Sequence, residues 1–176
     1  MLTHSPDPIF LRASVSGDCN LNCIYCPKAE GMENRVPETL RGCRLNADDY
    51  ISNLKHLARQ GLRGVAFTGG EPTLNPDLPL IVKAASSIFE RVELTTNGRF
   101  LVEMLPAIAP HLDILKVSLD AVELQKVKTI TNGTSFEFQR AITSIRTGCE
   151  AGLRVGINVV VMRSTVDQID RIIDFC

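Results

Sequence analysis

Five short runs of apolar or β-branched residues, each followed by a stretch of helical periodicity, constrain this chain most. The runs are Leu11–Ser16 (LRASVS), Gly64–Thr68 (GVAFT), Arg91–Thr95 (RVELT), Ile114–Leu119 (ILKVSL) and Arg154–Val161 (RVGINVVV). Brief, nearly continuous apolar runs are what strands covered on both faces require. Between them, apolar residues recur at helical spacing. Ile51, Leu54, Leu57 and Ala58 share a face behind an Asn46 cap, and Leu78, Ile81, Ala84, Ala85 and Ile88 share another. Phe100 to Ile108 is weaker and is interrupted by Pro106, while Phe138, Ala141, Ile142, Ile145 and Cys149 form a fourth face. Val166, Ile169, Ile172, Ile173 and Cys176 form a fifth. Thr134 with Glu137, and Thr165 with Gln168, have the spacing of capping boxes. Gln60-Gly61-Leu62 and Ala151-Gly152-Leu153 end two helices alike, with a Gly for the left-handed stop and a Leu to fold back on the last turn.

Repeated strand–helix alternation predicts an α/β fold with a parallel sheet. Polar residues stand at the C-terminal end of every run. They are the Cys loop, Thr68 to Pro72, Thr95 to Gly98, Ser118 with Asp120, and Met162-Arg163. An open doubly wound sheet concentrates its site at one switch point, whereas a barrel builds its site from many strand ends. The expectation is therefore a partial (βα) barrel of five units, residues 1–176 forming one domain. No sixth strand follows, so the chain reads as the N-terminal part of a longer protein. The polar connection from Pro27 to Asn46 is long enough to suggest a functional loop.

A formal net charge of −1 gives no case for nucleic acid or a membrane surface as partner. No export leader or membrane-spanning run is readable, so the expected location is the cytoplasm. In that reducing setting the six cysteines speak against disulfide stapling. Three of them, Cys19, Cys23 and Cys26, fall in a C-x3-C-x2-C spacing. With Cys43 they could close a structural zinc site. Held on three irons of a cubane, they would instead leave the fourth iron open.

That spacing after a first strand, with Tyr25 just before the last Cys, resembles the signature of radical S-adenosylmethionine enzymes. The resemblance extends along the chain. Thr68-Gly69-Gly70-Glu71-Pro72 is similar to the family's GGEP motif, and LTTNG (Leu94 to Gly98) and VSLDA (Val117 to Ala121) are similar to its next two strand ends. Within the family, LRASVSGDCN and NVVVM look most like the molybdenum-cofactor GTP cyclases. The resemblance implies a 4Fe-4S cluster on Cys19, Cys23 and Cys26, with S-adenosyl-L-methionine chelating the open iron. It further implies cofactor contacts from Tyr25, Gly69, Gly70, Glu71, Pro72, Thr95, Asn97 and Ser118, the two glycines letting backbone approach the methionyl amine. The implied partners are a small-molecule or peptide substrate and a one-electron reductant of flavodoxin or ferredoxin type.

Arg12 is an unusual charge for a buried strand. The resemblance suggests that it meets a substrate phosphate, and Arg163 could do likewise. Lys116 is expected to point outward, and Asp120 to cap a loop. Cys43, Cys149 and Cys176 read as ordinary thiols, and His4, His56 and His111 have no ligand spacing. The resembled cyclases carry a second three-Cys cluster and a Gly-Gly tail, both missing from these residues. GTP is thus the leading substrate, with a peptide or antibiotic precursor as the alternative.

Overall fold

The computed structural model describes residues 10–26 and 45–176. Five parallel strands form one sheet in the order β1-β2-β3-β4-β5. They are β1 (Phe10–Ser16), β2 (Gly64–Gly69), β3 (Arg91–Thr96), β4 (Ile114–Ser118) and β5 (Arg154–Asn158). The helices are α1 (Ala47–Arg59), α2 (Leu78–Ser86), α3 (Leu101–Ile108), α4 (Leu124–Thr131), α5 (Ser135–Glu150) and α6 (Ile169–Phe175). Each strand pairs with its sequence neighbour, so among the described residues the order never reverses and there is no switch point. The sheet is a partial α/β barrel, as expected.

Alternation along the strands divides the molecule. Val65, Phe67, Leu94, Leu115 and Val117 pack into one core with Leu54, Ile81, Leu101 and Ile145 of the helices. The intervening residues turn to the other, open face, where Ser14 pairs with Thr68 and Thr95 with Lys116 across neighbouring strands. Most of the helical packing is thus spent on one side, while α4 packs in a separate cluster with Ala121.

Local signals behave as read at most boundaries. The Asn46 side chain caps α1 by accepting from the Asp49 amide at 2.8 Å, and Thr134 with Glu137 forms a complete capping box on α5. Gly61 (φ 98°) and Gly152 (φ 75°) take the left-handed conformation. The amides of Leu62 and Leu153 then reach back to the carbonyls of Leu57 and Gly148. Pro106 lies inside α3 without ending it, two residues before the helix gives way to a 3-10 turn at Ala109–His111.

Three features differ from the sequence reading. α4 carries Val127, Thr129, Ile130 and Thr131, residues of poor helix propensity, and is held by packing of Val127 and Ile130 beside Ala121. β5 stops at Asn158 instead of Val161. There, side chains intercept the backbone: Asp120 Oδ1 accepts from the Val160 amide at 2.8 Å, and Thr165 Oγ1 donates to the Val160 carbonyl at 3.0 Å. Thr165 is therefore committed to this loop and forms no capping box with Gln168, whose amide donates to Asp167.

Candidate active site

The loop after β1 carries the cysteines and is fastened from two sides. On one side, the Gly70 amide donates to Ser16 O at 2.8 Å and the Glu71 amide to Asp18 O at 2.7 Å. On the other, the amides of Asn22 and Ile24 donate to Thr131 O and Ile130 O at 3.1 and 2.9 Å. These are carbonyls of the last turn of α4, which lack helical partners and suit an incoming strand of amides. The helix missed in the sequence is thus one of the two clamps on the Cys loop.

Gly69 and Gly70 admit a close approach by the chain's own backbone. A Cβ at Gly69 would lie 2.3 Å from Ser16 O, and one at Gly70 2.2 Å from Asp18 O. The absent side chains admit the backbone of the Cys loop, and Gly69 also holds φ at 149°. Both still line the cleft beside it.

Glu71 is 1% exposed and joins two strand ends. Its Oε1 accepts from the Thr73 amide (3.0 Å), Thr73 Oγ1 (2.6 Å) and Thr96 Oγ1 (2.5 Å). Oε2 accepts from the Asn97 amide at 2.7 Å. Four donors compensate a buried charge that would otherwise be prohibitive. Pro72 opens the 3-10 turn Pro72–Leu74 behind it and is buried there, outside the cleft lining. Asn97 in turn reaches the Cys loop, its amide nitrogen donating to Asn20 Oδ1 at 2.9 Å and lying 3.8 Å from Cys19 Sγ.

One cleft gathers most of the expected residues. Cys19, Cys23 and Cys26 line it from the loop, and Thr95, Asn97 and Ser118 from the strand ends, with Tyr25 at its edge. The three cysteines are half-buried, and none is in a disulfide. Burial, partly offset by a hydrogen bond from Tyr25, pushes the Cys23 thiol up to about 11. Among the described residues, the hydroxyls of Thr95 and Ser118 make no hydrogen bond and are available to a ligand. Arg12 and Arg163 are exposed and lie outside the lining. Lys116 does not point outward: on the open face it grips Glu93 at 2.5 Å, and Arg91 holds the same carboxylate at 2.6 Å. Burial opposes ionisation of Glu93, yet these two cations keep its carboxyl below the usual range.

Asp120 escaped the sequence reading as a site residue. It is 4% exposed, lines the cleft, and accepts from the Tyr25 hydroxyl at 2.6 Å. The signal was its spacing: two residues beyond Ser118, it continues the same face of β4 past the strand end.

The donor set can be tested against the two metal readings. Among the described residues, no three His, Cys, Asp or Glu side chains are placed to hold one metal ion. A zinc ion needs every ligand about 2.0–2.3 Å from a single point. A cubane takes its thiolates one to an iron, each on a different iron, so its ligands stand apart around a space. Three separate thiols around a cleft fit the second requirement. Cys43, the fourth ligand of the zinc reading, lies outside the described residues.

Comparison with known proteins agrees with this geometry. Residues 13–176 match the profile of the Radical SAM superfamily. The chain is 34% identical over 168 residues to a probable GTP 3',8-cyclase of Archaeoglobus fulgidus, covering 94% of this chain and 53% of that one. It is 34% identical over 169 residues to molybdenum cofactor biosynthesis protein 1 of Drosophila melanogaster, covering 94% and 28%. The chain thus spans about half the length, or less, of these curated relatives. Among solved structures, Streptococcus suis SuiB bound to precursor peptide SuiA superposes with a TM-score of 0.79 at 23% identity, covering 96% of this chain and 36% of that one. TYW1 with a lysine-pyruvate adduct bound gives 0.66 at 19%, covering 94% and 60%. With cysteine loop, strand ends and sheet order all in agreement, the chain belongs to the radical SAM superfamily, enzymes that use a 4Fe-4S cluster and S-adenosylmethionine.

Proposed function

We propose that Cys19, Cys23 and Cys26 each hold one iron of the cluster, and that the protein to which this chain belongs converts GTP by a radical reaction in the cytoplasm. The observation that carries the site is the sharing of one cleft by the three thiols and the ends of β2, β3 and β4. When bound, the cluster and S-adenosylmethionine supply one-electron cleavage of the sulfonium and hydrogen-atom abstraction from substrate. A flavodoxin- or ferredoxin-type protein supplies the electron.

The chain's own residues bind and orient. Cys ligation leaves one iron without a protein ligand, which is the place for the methionyl group. Glu71 has one oxygen with a single donor, leaving it acceptor capacity toward an ammonium at the cleft. Thr95 and Ser118 offer unpaired hydroxyls to ribose or carboxylate oxygens, while Asn97 ties the strand-three end to the Cys loop. Tyr25, fixed by Asp120, walls the side where adenine would lie. Arg12 and Arg163 stand away from this cleft and are assigned to substrate phosphates.

GTP as substrate rests on the relatives named GTP 3',8-cyclase. The likeness to SuiB, below 25% identity, speaks to the fold alone. Anaerobic reconstitution of the full-length protein tests both layers. A brown protein with at least four irons per chain, about four of them lost when Cys19, Cys23 and Cys26 are replaced by Ser, that releases 5′-deoxyadenosine and consumes GTP supports the proposal. Colourless protein holding one zinc contradicts the cluster, and release of 5′-deoxyadenosine with GTP untouched contradicts the substrate alone.

A further inference from the structure

The open face of the sheet carries charge. Strand pairing places Arg12, Arg91, Lys116 and Arg154 on it, with Glu93 as the one acid among the described strand residues. That excess of cations contrasts with the formal net charge of −1 for the whole chain. Lys116 is the cation set closest to the strand ends. It pairs with Thr95 across the strands and precedes Ser118 by two residues, about 6.6 Å, on the same face of β4.

Glu93 holds Lys116 in place. The carboxylate is buried, accepts from Lys116 Nζ at 2.5 Å on Oε2, and meets Arg91 at 2.6 Å on Oε1. An ammonium has three N–H groups to donate. Glu93 takes one of them, and Lys116 has no other partner among the described residues. On the side toward β5, Gly156 presents no side chain. A Cβ there would meet only the Lys116 Cγ, at 3.8 Å. A fixed ammonium with donors to spare therefore stands beside a bare strip of backbone.

We propose that Lys116 is an anion-binding residue that takes a carboxylate or phosphate oxygen of a molecule seated over the open face, with Glu93 positioning it. Two cations on one carboxylate leave net positive charge at this place. A side chain already ordered by an ion pair gives up little further freedom when it binds an anion. Two sources offer the same chemistry: the carboxylate of S-adenosylmethionine and the phosphates of GTP. Both belong to the proposed function, on which the inference rests.

Equilibrium dialysis of the reconstituted full-length protein separates the sources, comparing GTP with guanosine and S-adenosylmethionine with its decarboxylated form. In Lys116→Met, one anionic ligand should bind about tenfold more weakly while its counterpart lacking the anion binds as before. Weakening of GTP assigns the site to phosphate, and weakening of S-adenosylmethionine assigns it to the carboxylate. Lys116→Arg, which keeps the charge and the donors, should recover most of the affinity. The double variant Lys116→Met with Glu93→Gln restores the net charge of the face but not the donor, and should stay weak. Three results overturn the inference and leave the proposed function standing: both anionic ligands unaffected in Lys116→Met, equal weakening of charged and uncharged ligands, or recovery in the double variant. A wild-type protein that binds neither GTP nor S-adenosylmethionine overturns the proposed function together with it.

Discussion

Two pairs of glycines in this molecule are constrained differently. Gly61 and Gly152 end helices at positive φ, and a Cβ at either would meet nothing within 4 Å. Gly69 and Gly70 sit where a Cβ would strike the backbone of the Cys loop at 2.2–2.3 Å. The first pair solves a local problem of chain direction. The second lets two loops distant in sequence share hydrogen bonds, and the cleft exists only because they do. Replacing one of the first pair strains a residue; replacing one of the second moves the site.

This contrast can be broken or sharpened by substitution. The largest effect is expected at Gly70→Ala, where backbone must shift away from Asp18 O. Iron incorporation should be lost and stability should fall by about 3 kcal/mol, read from urea midpoints together with iron content. Glu71→Ala comes next. It strands the donors of Thr73, Thr96 and Asn97, so about 2–3 kcal/mol should be lost together with affinity for S-adenosylmethionine, measured by equilibrium dialysis. Gly152→Ala should cost about 1–2 kcal/mol and leave iron content unchanged, since only the left-handed backbone is strained. The smallest effect is expected at Asn46→Ala, which removes the cap of α1 and should cost about 1 kcal/mol in thermal unfolding with the cleft intact. A Gly152→Ala protein that loses its iron, or a Gly70→Ala protein that keeps it, would erase the distinction.

Much of the fold was legible because each strand is a short apolar run and each of the longer helices has a clean face. The sequential sheet order followed from polar residues at every strand end. What stayed hidden depends on partners far apart in the chain. Tyr25 and Asp120 are 95 residues apart, and nothing local to either announces the other. Glu71 was read as a cofactor contact, yet its visible work is to collect donors from Thr73, Thr96 and Asn97. The glycines of the Gly-Gly-Glu-Pro turn signal a close approach in the sequence, but that Ser16 and Asp18 are what approaches them depends on the fold. α4 leaves little trace in the sequence because its propensity is poor and its existence depends on what packs over it. β5 ends before its apolar run does because Asp120 and Thr165 take hydrogen bonds that a strand would otherwise use.

The most direct test of the central claim is EPR of the reduced, reconstituted full-length protein with and without S-adenosylmethionine. An iron left open by Cys19, Cys23 and Cys26 predicts a 4Fe-4S signal that changes shape when S-adenosylmethionine is added, and loss of that responsive signal when the three cysteines are replaced by Ser. A signal indifferent to S-adenosylmethionine, or a responsive signal that survives the triple replacement, contradicts it.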